Sequence, residues 1–216
     1  TEDEQAARMF DQAGRTPERG DRPVTITDYT ARAAMPARIA LERADWARAA
    51  ALAVTSTVYP QADAISRFAR GLGMARLGNT SGTRAEIAAL NALRATLHKS
   101  GESYWADRVQ EQVLAVSAWS SLAESVPSKA IETMRRAADG EDGSLKHVAM
   151  ENRLYPMREL LGDLLLAAGK PADAYKEYVK AVRQHPNRFG ALYGAARAAE
   201  DAGDRPNAVS YYAKVL

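Results

Sequence analysis

The chain has 216 residues, of which 46% are hydrophobic and 26% charged, so it is long enough to bury a substantial core and has an ordinary globular composition. Its 29 basic and 27 acidic residues nearly balance, which gives no support to a nucleic-acid-binding surface. The absence of cysteine excludes disulfides, thiolate metal sites and cysteine nucleophiles. No apolar run reaches the roughly 20 residues that cross a bilayer. We therefore expect a soluble protein with no membrane span, in either the cytoplasm or the periplasm.

The first part of the chain predicts a short helix followed by a linker. Residues 1–14 are acidic at their start and then carry scattered apolar side chains. Residues 15–27 contain two prolines and a glycine among alternating charges, which is typical of a linker. Since the chain begins with Thr and has no apolar leader, we expect a fragment or a processed form. A helical domain is predicted to fill residues 28–216.

Helical periodicity without strand alternation runs through this domain. The first predicted helix starts at or bends at Pro36, and residues 79–82 are expected to lengthen a later turn. The acidic segment 139–143 has residue types found in calcium loops but lacks their alternation and closing Glu, so we predict a flexible turn that begins a long loop. The helices predicted in the first part of the domain span 28–43, 46–57, 62–77, 85–98, 104–124 and 127–137.

The last part of the chain contains one pattern twice, in residues 155–188 and 189–216. Gly169 and Gly203 are 34 positions apart, as are Tyr178 and Tyr212. A shared period of this length is the signature of stacked helical hairpins.

The first copy of the pattern has its own start and stop signals. Apolar side chains recur on one helical face from Met157 to Ala168. Gly169 is expected to end this helix in the left-handed conformation, and Pro171 fits the first turn of the next helix. The two helices must therefore fold back on each other.

This pattern resembles the tetratricopeptide repeat (TPR). Its Leu-Gly, Leu, Ala, aromatic and Pro positions are filled by Leu161, Gly162, Leu165, Ala174, Tyr178 and Pro186. Arg158 stands where the family prefers Trp. The resemblance implies an all-α fold, a TPR-like right-handed α-solenoid of about five antiparallel helix hairpins. Segments 37–43, 68–70 and 146–163 are also similar to the C-terminal part of longer bacterial TPR proteins, and no activity comes with that likeness.

No group of side chains in the sequence predicts catalysis, so we expect no enzyme, no metal and no cofactor. His98 and His185 lie near predicted helix ends, where a cation is favourable. His147 is a weak candidate for a metal ligand because it lies in the long loop near acidic residues. An exposed loop histidine is the simpler interpretation.

The TPR resemblance favours binding, because in such arrays the first helix of each pair lines a concave groove. Aromatic side chains there would hold apolar side chains of a peptide, and Arg197 would meet a carboxylate. Alternatively, Asp163 and Arg197 pair with each other and Trp119 belongs to the core. The repeat alignment predicts groove positions at Trp119, Leu122, Glu159, Asp163, Tyr193, Arg197 and Glu200.

Some members of the family bind the C-terminal carboxylate of a partner through basic or amide side chains, and Glu159 and Asp163 stand at those positions here. This difference favours a basic or neutral extended segment as the partner.

Three hypotheses for function follow from the sequence. The first is a protein- or peptide-binding scaffold. The second is the rear portion of a larger metal-dependent or hydrolytic protein, with His147 contributing to a site. The third is a self-associating module, because residues 211–216 end the chain with apolar side chains and no polar capping helix, which favours a homo-oligomer through the C-terminal repeat.

Overall fold

The computed structural model describes residues 24–144 and 153–215, together with Gln5, Arg8, Met9 and Gln12. These residues form helices and no strand, which confirms the predicted all-α class. The predicted N-terminal helix and linker lie mostly outside the described residues. From residue 24 onward the helices are α1 (Ile26–Glu42), α2 (Trp46–Ala50), α3 (Pro60–Arg76), α4 (Thr80–Lys99), α5 (Ser103–Ala123), α6 (Pro127–Asp142), α7 (Met157–Ala167), α8 (Pro171–Gln184), α9 (Phe189–Asp201) and α10 (Arg205–Tyr212).

Local sequence signals account for most of the helix ends. Thr25 and Asp28 form a capping box at the start of α1, in which the Thr25 N–H donates to the Asp28 carboxylate at 2.8 Å. Proline occupies the first turn of α3, α6 and α8. Gly78, Gly101 and Gly169 end helices with φ of 75°, 81° and 70°, as their positions predict. In this part of the chain, no helix has both the length and the apolar character to cross a bilayer.

The second helix, predicted to span 46–57, ends at Ala50 in the structure. The residues that follow bind to the start of α3 instead of continuing the helix. The Thr57 N–H donates to both carboxylate oxygens of Asp63, at 3.1 and 2.9 Å. This cap on α3 spans six positions of the chain, and apolar periodicity does not reveal it.

Two predicted turns are helical in the structure. Residues 80–82 belong to α4, because the Asn79 side chain accepts a hydrogen bond from the Gly82 N–H at 3.0 Å and so caps the helix one turn earlier. The predicted flexible segment 139–143 mostly forms the last turn of α6, which runs to Asp142. Its acidic side chains bind Arg158, which lies 2.8 Å from Asp139 and also contacts Asp142. Tertiary ion pairing therefore orders a segment whose composition indicates a loop.

Each helix packs against the next one along the chain, and the odd-numbered helices also form a row. In that row α1 contacts α3, α3 contacts α5, α5 contacts α7, and α7 contacts α9. One continuous core of buried side chains runs from Ala37 in α1 to Tyr211 in α10. The chain folds as a series of neighbouring helices that share this core.

Two contacts connect elements that are distant in the sequence. Arg38 of α1 donates to the backbone carbonyl of Arg153, just before α7, at 3.0 Å. Arg188, which precedes α9, forms an ion pair with Glu42 at the end of α1, at 2.8 Å. The end of α1 therefore lies beside the start of α9, and a cavity lies next to this contact.

Candidate functional site

A cavity of about 370 Å³ lies where the α1–α2 turn faces α9. Side chains from α3, α7 and α8 complete its lining. We call this cavity the groove. It combines charged and aromatic side chains from six helices, from the α1–α2 turn and from the segment just before α7. Their positions depend on the packing of the odd-numbered row.

Arg188 fixes one side of the groove through two carboxylates. Its guanidinium lies 2.6 Å from Glu159 and 2.8 Å from Glu42. Glu159 is 1% exposed, and burial raises its pKa to about 7 against the opposing charge of Arg188. The backbone of Gly190 leaves room for this carboxylate, since a Cβ at that position would lie 2.2 Å from Glu159 Oε1. Glu159 is therefore held inside the protein and presents no free charge to a ligand.

Asp163 is the acidic side chain of α7 that lines the groove, and two tyrosines occupy its oxygens. Tyr155 donates its hydroxyl to Oδ2 at 2.7 Å, and Tyr178 donates its hydroxyl to Oδ1. Burial raises the pKa of Asp163, while these hydrogen bonds and the charge of Arg76 oppose the rise. The carboxylate is already satisfied from within the chain.

Arg76, at the end of α3, is a half-buried cation on the groove surface. Its guanidinium carbon lies over the ring of Trp46 at 4.5 Å and over the ring of Trp119 at 4.1 Å. Among the described residues, Arg76 forms no ion pair within 4 Å. The two indoles therefore hold a guanidinium in place without using its hydrogen-bond donors.

Two exposed aromatic rings from α9 also line the groove. Phe189 is 65% exposed and Tyr193 is 43% exposed, and their rings are stacked with centroids 5.8 Å apart and planes 5° from parallel. Tyr212 packs against the edge of Tyr193 at 6.1 Å. This stacked pair is a rigid apolar surface on which another chain can pack.

Three of the predicted groove residues line the groove, namely Asp163, Tyr193 and Arg197. The alternative pairing of Asp163 with Arg197 does not occur, because Asp163 binds the two tyrosine hydroxyls. Arg197 lies 4.0 Å from Asp201 of its own helix and is largely exposed. These three side chains come together as the repeat alignment predicts.

The other predicted groove residues do not line it. Glu159 is buried against Arg188, and Trp119 is 4% exposed and packs in the core, as the alternative interpretation holds. Leu122 is partly buried against the core. Glu200 is exposed and accepts a hydrogen bond from the Tyr212 hydroxyl at 2.7 Å. Of the two acidic side chains that favour a basic or neutral partner, Glu159 is buried against Arg188, and Asp163 lines the groove with its oxygens hydrogen-bonded to two tyrosines.

A second, smaller cavity of about 140 Å³ lies between α1, α3, α5 and α6. It contains two buried ion pairs, Arg108 with Glu111 at 2.8 Å and Arg153 with Glu141 at 2.9 Å. Burial raises the pKa of Glu111 to about 8. Each carboxylate has its own guanidinium, so the cavity has little net charge from these pairs.

The candidate metal ligand His147 lies outside the described residues. Within the described ranges, no group of three or more His, Cys, Asp or Glu side chains is placed to hold a metal ion. The hypothesis of a metal site near His147 stays a prediction.

Sequence reasoning missed several residues that shape the groove, above all Arg76, Trp46 and Arg188. The repeat alignment extends back only to Trp119 in α5, so it does not reach α1, α2 or α3, where the pattern is degenerate. The one local departure from the repeat pattern is Arg158, which stands where the family prefers Trp. In the structure Arg158 forms ion pairs with Asp142 and Glu177, and these lie outside the groove.

No protein-family model and no curated protein matches the chain.

Proposed function

We propose that this chain is a peptide-binding helical-repeat scaffold of the TPR type, which holds an extended segment of a partner protein in the groove. The observation that carries the proposal is the exposed, stacked pair Phe189 and Tyr193 beside a cavity of about 370 Å³. Large aromatic side chains that are rigid and exposed at a cavity are typical of protein-binding sites.

The packing of the helices supports the repeat part of the proposal. The row of odd-numbered helices places the first helix of each pair next to the first helix of the following pair. A row of this kind is expected when helical hairpins stack into an array, and its inner side would be the concave surface. The groove residues of α3, α7 and α9 all belong to this row.

The ion pair between Arg188 and Glu42 supports a preformed site. It joins the two sides of the groove before any ligand binds, so the ligand does not have to order these elements. Preorganisation of this kind increases affinity because less conformational entropy is lost on binding.

Selection from a library of random linear peptides tests the proposal. The wild-type chain is expected to enrich peptides with apolar or aromatic side chains that pack on Phe189 and Tyr193. The double variant Phe189→Ala, Tyr193→Ala is expected to bind the selected peptides about tenfold or more weakly, because buried aromatic contacts dominate such interfaces.

Val209→Ala is the matched control, since Val209 is 63% exposed but does not line the groove. It should leave peptide affinity unchanged. Failure to enrich any peptide, or equal affinity in the double variant, would overturn the proposed function.

A further inference from the structure

We infer that the groove selects an acidic segment, with an Asp or Glu carboxylate of the partner bound by Arg76. This inference rests on the proposed function and adds the chemical class of the ligand. It starts from Arg76, which lies half-buried on the surface of the groove and, among the described residues, forms no ion pair within 4 Å, although its charge interacts with that of Asp163.

The side chains that line the groove favour a negatively charged ligand. Arg43, Arg76 and Arg197 contribute three guanidinium groups, whereas Glu42 and Asp163 are the two lining carboxylates. The two carboxylates have partners within the chain, Glu42 in its ion pair with Arg188 and Asp163 in hydrogen bonds from two tyrosines. Arg197 likewise lies 4.0 Å from Asp201, so we assign the ligand carboxylate to Arg76 alone. The excess of guanidinium groups in the lining favours a carboxylate-bearing segment over the basic or neutral one that the sequence alone favours.

The two indoles make Arg76 a preorganised binding group. The guanidinium carbon lies 4.5 Å from the centroid of the Trp46 ring and 4.1 Å from that of the Trp119 ring, and these two contacts hold the group in place. A guanidinium presents paired N–H groups that match the two oxygens of a carboxylate. Burial lowers the pKa of Arg76 while the charge of Asp163 opposes that change, and an incoming carboxylate would act in the same direction as Asp163.

The neighbouring aromatic pair sets how the segment would lie. Phe189 and Tyr193 line the same groove as Arg76 and are highly exposed. One segment can therefore place an apolar side chain on the aromatic pair and an acidic side chain at Arg76. The expected motif is an acidic residue close in sequence to an apolar or aromatic one.

Two matched peptide libraries test the inference. They are identical except that one encodes Asp and Glu and the other encodes Asn and Gln in their place. Wild type is expected to enrich binders from the acidic library, and replacing the carboxylates of a selected peptide by amides should weaken binding about tenfold or more, the range for a hydrogen bond to a charged group. Arg76→Gln should remove this preference while binding still depends on Tyr193.

Arg84→Gln is the control for loss of one positive charge, because Arg84 lies on α4 with a side chain 70% exposed and does not line the groove. Circular dichroism verifies that each variant is folded, and Arg76→Lys, which keeps the charge but not the planar donors, replaces Arg76→Gln if that variant does not fold. Fluorescence of Trp46 and Trp119 in a Trp105→Phe background should change when an acidic peptide binds.

The outcomes separate the two proposals. Equal enrichment from both libraries, with binding that still requires Tyr193, overturns the acidic ligand and leaves the proposed function in place. No enrichment from either library overturns both. Acidic binders that are unaffected by Arg76→Gln overturn the role of Arg76.

Discussion

Arg188 and Glu42 form an ion pair of 2.8 Å between the start of α9 and the end of α1, although they are 146 positions apart in the sequence. The same guanidinium lies 2.6 Å from the buried Glu159. These two carboxylates differ in exposure, with side chains that are 34% and 1% exposed. One cation therefore makes one ion pair near the surface and one in the interior, and their energies should differ.

Arg188→Met is expected to lower the free energy of unfolding by about 3–5 kcal/mol, because it leaves the buried charge of Glu159 unpaired. Glu42→Gln should lower the free energy of unfolding by only about 0–1 kcal/mol. The ion pair that it breaks is partly exposed, and Arg188 keeps its ion pair with Glu159. Urea unfolding of both variants at a pH above 7 measures the difference. Equal costs for the two variants would contradict this account, and Arg84→Met, at an exposed pair on α4, provides the baseline.

Stability should fall as pH rises through the neutral range. Burial raises the pKa of Glu111 to about 8 and that of Glu159 to about 7, from an ordinary value of 4.5. Between pH 4.5 and these values the folded protein holds protons that the unfolded chain has released. The contribution of both groups to the free energy of unfolding is therefore complete below 4.5 and is lost as pH rises to about 8.

Urea unfolding at several pH values across this range measures the effect, which corresponds to about 1.4 kcal/mol for each unit by which the folded and unfolded pKa values differ. Glu111→Gln and Glu159→Gln should each make the pH dependence shallower, because an amide does not titrate. A pH dependence that is unchanged in both variants would contradict this account, because it would show that the pKa of these carboxyl groups is the same in the folded and unfolded protein.

The ring of Tyr178 packs against the backbones of two glycines, one in α7 and one in α9. A Cβ at Gly162 would lie 2.7 Å from this ring, and a Cβ at Gly194 would lie 2.3 Å from it. Gly162→Ala and Gly194→Ala are therefore expected to destabilise the protein by about 1–3 kcal/mol through overpacking, as measured by thermal or urea unfolding.

Gly140→Ala is the matched control for these two variants, because Gly140 also lies within a helix. Its Cβ would lie 3.5 Å from Glu111, which is ordinary van der Waals contact. This change should stabilise the protein by about 0.5–1 kcal/mol, the usual advantage of Ala over Gly in a helix. If all three variants behave alike, close packing on Tyr178 is not the cause.

Ser125 has a left-handed backbone, with φ of 62°, in the turn between α5 and α6. Since glycine adopts this conformation without steric cost, Ser125→Gly should raise the free energy of unfolding by about 0.5–1 kcal/mol. The reverse test is Gly203→Ala, where φ is 77° and a Cβ would meet no atom within 4 Å. That variant should lose about 1 kcal/mol from the backbone conformation alone. Thermal unfolding distinguishes the two signs.

The sequence by itself determined the all-α class and the approximate positions of most helices. Apolar periodicity, proline in first turns and glycine at helix ends are local signals. They are strong in α7, whose boundaries agree with the predicted span 157–168 within one residue, and at the start of α8, where Pro171 lies in the first turn. Asp163, Tyr193 and Arg197, three of the seven groove positions predicted from the repeat alignment, line one cavity in the structure.

The tertiary structure alone decided the helical conformation of residues 139–142 and the charge of the groove. These features depend on partners 19 and 29 positions apart in the sequence, Asp139 with Arg158 and Glu159 with Arg188. Local patterns show which residues are charged but not which charges are neutralised inside the protein. The contact of Arg76 with two indoles follows from how α3 packs on its neighbours, and no periodicity in the sequence encodes that contact.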